Sequence, residues 1–158
     1  NYDLIVIKQP PDNLYSGAQP LWREQLVWAA GPHVPGDTRF DEACEQEDAL
    51  RLVLSPSPCV YRERALEALD SNGISWDITY TSPSIAGATA AVRAGLGVAV
   101  LPRKMVPSDL VILDHDRGWP RLREAEICLL ARSSAPAIQA LSSFIETRIG
   151  EEAHIHYQ

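Results

Sequence analysis

Two segments of this 158-residue chain end a strand-like run on Ser-Pro and then open a helical one: Ser55-Pro56-Ser57-Pro58 after residues 51–54, and Ser82-Pro83-Ser84 after residues 76–81. Proline suits the first position of a helix, because its missing N–H would have found no partner there, and a serine before it accepts a hydrogen bond from the next free amides. On this reading Ser57 and Ser82 are the caps. Helix starts at neighbouring ends of parallel strands face one crevice, where free N–H groups and positive dipole ends favour a carboxylate or phosphate. Each junction alone is also an ordinary cap; the repetition is what points to a shared ligand site. Arg62, one turn into the first helix, either meets a ligand anion or pairs on the surface with Glu63 or Glu67. Cys59 at the helix start is either a thiol of lowered pKa or a small filler. Lys8, at the end of the first strand, is either an anion contact or a solvated lysine.

Other chemistry finds little footing. There is no Gly-x-Ser-x-Gly elbow, phosphate loop or His-Glu-x-x-His. Acidic pairs such as Glu42 and Glu45, or Asp114 and Asp116, lie in polar runs that read as solvated faces. The three cysteines, Cys44, Cys59 and Cys128, have neither zinc nor redox spacing and suit a reducing cytoplasm. His33 and His115 read as loop residues, and His154 and His156 as part of a polar tail. We therefore expect no catalysis, no metal and no cofactor. A formal charge of −7 argues against direct contact with duplex DNA. With 46% apolar residues the chain can build one core or two small lobes, and no apolar run approaches the ~20 residues of a membrane helix.

The elements that would position the junctions follow from the hydrophobic pattern. Residues 3–7 read as a buried strand that stops in Gln9-Pro10-Pro11-Asp12-Asn13, and residues 25–30 as a second strand stopping at Gly31-Pro32. The acidic patch 41–48 reads as a short solvated helix. From residue 51 the chain alternates. A strand (51–54) leads to a helix with Leu66 and Leu69 on one face, ending at Asn72-Gly73; a strand (76–81) leads to an Ala-rich helix (85–94) closed by Gly95; a third strand (97–101) ends at Pro102. Such alternation implies a parallel sheet with right-handed crossovers. A short strand (110–113), a Gly118-Trp119-Pro120 loop, a longer strand (126–131) and a helix (135–149) with Ile138, Leu141 and Ile145 on one face complete the chain.

Several of these segments resemble the effector-binding domain of LysR-type transcriptional regulators. Asp3-Leu4-Ile5-Val6-Ile7 is similar to the family's Asp-Leu-Ala-Ile strand, and residues 25–30 to its next strand. Thr81-Ser82-Pro83-Ser84 followed by Ala91-Val92-Arg93-Ala94-Gly95-Leu96-Gly97-Val98-Ala99-Val100-Leu101-Pro102 resembles its most specific run. Residues 57–62 look like the branch that regulates motility and exoenzyme genes. The likeness covers residues 2–149. It implies an α/β, two-lobe, type 2 periplasmic-binding-protein-like fold with mostly parallel sheets. Lobe I would comprise 1–33 and 107–150 and be incomplete; lobe II would be 34–106, and 151–158 a tail. By the same resemblance an effector sits between lobes against Lys8, Gln9, Ser55, Ser57, Cys59, Tyr61, Arg62, Thr81, Ser82 and Ser84. The resemblance further implies a cytoplasmic homo-oligomer, dimer or tetramer, that senses a small molecule, expected to be a carboxylate. DNA would be met only through an N-terminal helix-turn-helix domain, and no membrane is involved. A chain that starts at Asn1 and enters a strand within two residues is expected to be part of a longer protein. The alternative is a solute-binding protein of a transporter, and a third reading is a regulatory domain or small enzyme built on the same lobes.

Overall fold

Residues 50–102 alternate strand and helix as their pattern predicts: β4 (Leu50–Leu54), α2 (Val60–Ser71), β5 (Trp76–Thr81), α3 (Ile85–Arg93) and β6 (Ala99–Pro102). Around them lie β1 (Leu4–Gln9), β2 (Gln19–Glu24), β3 (Leu26–Ala30), α1 (Phe40–Cys44), β7 (Val111–Leu113), β8 (Ala125–Ala131) and α4 (Pro136–His154). The structure is a computed structural model and describes residues 2–44 and 48–154. Of the expected acidic helix, residues 45–47 lie outside the described residues, as do 155–158 of the expected tail. Helix α4 runs on through Gly150 to His154, because one glycine inside a helix costs only about 1 kcal/mol relative to alanine and does not by itself end it.

Two compact units form, Asn1–Glu24 with Glu124–Gln158, and Gln25–Arg123. The chain passes between these units at 24/25 and at 123/124. The reason is pairing: β3 lies between β6 and β7 in the second unit's sheet, so residues 25–33 and 107–123 stay with that unit.

In the first unit β8 is the central strand, antiparallel to β1 on one side and β2 on the other, with α4 packed against β2 and β8. Burial follows from that order. β8 is buried over six of its seven residues, whereas β1, at the sheet edge, leaves Val6 49% exposed and is not the fully buried strand its β-branched run suggests. Strand β2 carries Pro20, which an edge strand tolerates, and shifts register between Pro20 and Trp22. The expected apolar face of α4 is half covered: Ile138 and Ile145 are partly buried, while Leu141 and Phe144 are exposed.

In the second unit β4 and β5 pair in parallel, and Val98, just before β6, bridges in parallel to Leu52 on β4's other side. The bridge is made by Val53 N–H to Val98 O at 2.8 Å and Val98 N–H to Arg51 O at 2.9 Å. Strands β6 and β7 run antiparallel to β3. The sheets are therefore mixed rather than mostly parallel. Strand–helix–strand succession enforces parallel pairing only locally, and β1, β2, β3, β7 and β8 pair with strands far away in sequence. Ala29, Val53, Ala88, Val92, Ala99 and Leu101 form the core between the strands and α3. Trp119 meets Phe40 edge to face and Trp28 at a tilt, and Trp28 Nε1 donates to Pro120 O at 2.8 Å.

Candidate ligand-binding site

The parallel register sets Leu54 beside Thr81, and Ser82 N–H donates to Leu54 O at 3.1 Å, so both Ser-Pro junctions leave the sheet from neighbouring strand ends. Neither helix starts where a proline at the first helical position would put it. The N-cap of α2 is Cys59, extended at φ −156 and ψ 121, and its side chain makes no capping bond. The N-cap of α3 is Ser84, whose Oγ accepts from Gly87 N–H at 3.1 Å. Ser57 and Ser82 are thus not the caps, and Pro58 and Pro83 each precede a cap. In each Ser-Pro-x the third residue supplies the extended backbone an N-cap needs, because the chain takes two more residues to turn from strand to helix. The Ser84 hydroxyl, three residues before Gly87, was the legible signal for the second cap.

Ser82 has a different task. Only 5% exposed, its hydroxyl donates to Ser84 O at 3.2 Å and accepts from Ser84 N–H at 3.3 Å, folding the turn that presents α3. Gly87 makes room for it: a Cβ there would lie 2.2 Å from Ser82 Oγ.

Arg62 ties the start of α2 to the end of β4. Its Nη1 donates to Ser55 O at 3.2 Å, across the junction, while Glu67 is taken by Arg64 and Arg123. That bond uses one of five N–H donors on the guanidinium. Tyr61 is buried behind it, and a cavity of about 20 Å³, room for roughly one water, lies among Ser55, Tyr61, Arg62, Ile85 and Ala88. Ser57, Thr81 and Ser84 are exposed, and Ser55 and Cys59 are half-buried. Eight of the ten expected contacts therefore flank the C-terminal ends of β4 and β5.

The other two belong to the first unit. Lys8 Nζ pairs with Glu24 Oε2 at 3.6 Å. Gln9 is only 4% exposed; its Oε1 accepts from Tyr15 N–H at 3.1 Å, and its Nε2 is buried with no hydrogen-bond partner among the described residues. A buried donor without an acceptor costs about 1–3 kcal/mol. Nothing in the residues 9–13 turn signal announced that burial.

A larger cavity, about 430 Å³, opens at the opposite end of the same strands among Ala30, His33, Leu50, Gly97, Val98 and Trp119, and it touches none of the ten. Among the described residues no three His, Cys, Asp or Glu side chains gather as a metal site, and no helix is long and apolar enough to cross a membrane.

A mixed sheet flanked by helices, with polar helix starts at parallel strand ends and two chain crossings between units, is the type 2 periplasmic-binding-protein-like α/β fold. The regulatory domain of CcmR from Synechocystis PCC6803, solved in complex with 2-PG, shares it with a TM-score of 0.66 at 17% identity, over 93% of this chain and 73% of that one. The family model for the LysR substrate binding domain matches residues 1–149, and the chain belongs to that family. It is similar to the HTH-type transcriptional regulator DgdR of Burkholderia cepacia, 34% identical over 127 residues. It is also similar to the HTH-type transcriptional regulator PecT of Dickeya dadantii (strain 3937), 30% identical over 110 residues. The matches cover 80% and 68% of this chain, which spans 40% and 34% of those relatives' lengths.

Proposed function

We propose that this chain is the sensing domain of a LysR-type transcriptional regulator and takes a small carboxylate at the C-terminal ends of β4 and β5. The observation that carries the reading is the pair of helix starts at adjacent parallel strand ends, with the half-buried Arg62 guanidinium beside them. Each helix start favours a nearby negative charge by roughly 0.3–1 kcal/mol, and a charge-assisted hydrogen bond from Arg62 adds about 1.5–3 kcal/mol. Lys8 and Gln9 enter this reading through the family resemblance alone. Regulation of transcription, homo-oligomers and DNA contact through a helix-turn-helix domain are properties of the longer protein in this reading, in the cytoplasm and without catalysis. Both curated relatives are regulators, which favours it over a transporter's solute-binding protein.

The test is calorimetric titration of the chain with 2-PG, benzoate and shikimate, with sulfate as a charge-only control. At least one carboxylate should bind, and Arg62→Ala should weaken it by about ten- to a hundredfold, the effect of losing one charge-assisted bond. Failure of all three carboxylates to bind, or unchanged affinity in Arg62→Ala, would overturn the reading.

A further inference from the structure

Helix α2 carries two separate sets of contacts along its length. Its first turn holds Cys59, Tyr61 and Arg62 at the ligand junction, and about 10 Å further along, at 1.5 Å per residue, Glu67 faces two guanidinium groups. Arg64, 5% exposed and on the same helix, donates to Glu67 Oε2 at 2.8 Å. Arg123 donates to Glu67 Oε1 at 2.7 Å from 56 residues away in sequence. Arg123 is also the residue at which the chain leaves the second unit. Beyond it, Glu124 and Glu126 are both gripped by Arg23, at 3.7 and 2.9 Å, and Glu24 is registered against Ala125, so the two crossings run side by side where they enter the first unit's sheet. Arg64 and then Arg123 hold the Glu67 carboxyl below the ordinary glutamate range, so the carboxylate is retained at neutral pH.

We propose that Glu67 is a positioning residue that couples the ligand junction at the start of α2 to the chain crossing at Arg123. A rigid helix carries any displacement of its first turn to Glu67, and the two-sided carboxylate passes it to the crossing. The proposal rests on the assignment of that first turn to the effector, and its test needs no ligand.

Arg62→Ala releases Ser55 O and loosens the start of α2 without touching Glu67 or Arg123. Amide hydrogen exchange of residues 120–126 is measured in four chains: wild type, Arg62→Ala, Glu67→Gln, and the double substitution. Arg62→Ala is expected to speed exchange there by about two- to five-fold, the range of a single partly exposed ion-pair contact, and to add nothing when Gln occupies position 67. Exchange within β1 and in the middle of β8 should be the same in all four. An equal effect of Arg62→Ala in both backgrounds, or none in either, would overturn the proposal. So would faster exchange throughout the chain in Glu67→Gln, which is the signature of a merely structural role. Carboxylate titration of the same chains separates the two ideas: binding with no exchange coupling defeats this inference alone.

Discussion

Replacing Gly97 by alanine is expected to destabilise the chain by roughly 3 kcal/mol, read as a lowered urea midpoint at unchanged slope. Two costs add. Gly97 sits at φ +155, a conformation side chains rarely adopt and one that costs about 1–3 kcal/mol. Its Cβ would also lie 2.5 Å from Arg51 O and 2.7 Å from Arg51 C, which are backbone atoms in β4 that cannot rotate aside. Relief requires separating β4 from the segment before β6, and that breaks the Val53–Val98 and Val98–Arg51 hydrogen bonds. Gly73→Ala is the control. At φ +66 it bears the conformational cost, but nothing lies within 4 Å of the added Cβ, so a loss of only about 1 kcal/mol is expected. Equal losses at the two positions would mean that close approach to β4 is unimportant.

Gly87→Ala tests the turn that presents α3. Within a helix this change ordinarily stabilises by up to about 1 kcal/mol, yet here the sign should reverse to a loss of about 1–3 kcal/mol. The added methyl meets Ser82 Oγ at 2.2 Å, and turning that buried hydroxyl away gives up both of its bonds to Ser84. Ser82→Ala removes the colliding oxygen and leaves its Cβ 3.2 Å from the methyl, tight but tolerable. The double substitution should therefore be no less stable than Ser82→Ala alone, giving a coupling of at least about 1 kcal/mol. Simple additivity in thermal or urea unfolding would contradict this packing.

These positions show which parts of the fold were legible. The βαβ succession was readable because each step is local: an apolar strand, a capped helix, a stop at Asn72-Gly73 or Gly95. Both stops are confirmed, with Ile74 N–H bonded to Leu69 O and Leu96 N–H to Ala91 O. Strand β2 was missed because Pro20, Arg23 and Glu24 break the apolar pattern, and it exists by pairing with β8 a hundred residues later. The place of β3 between β6 and β7 was equally hidden. At the candidate site residue type did not disclose what each side chain does within the fold. The caps are two residues beyond the serines first assigned, Ser82 folds a turn, Arg62 ties down a strand end, and Gln9 is buried with an unpartnered donor. Such roles depend on which atoms meet, and residue type reports only what those atoms are able to do.

The most direct measurement of the central claim is a chemical-shift titration of the uniformly labelled chain with whichever carboxylate binds it calorimetrically. The largest amide changes are expected in residues 55–62 and 81–87, at the ends of β4 and β5. Changes concentrated instead in residues 30–35 and 95–98, around the larger cavity at the other end of the same strands, would contradict it.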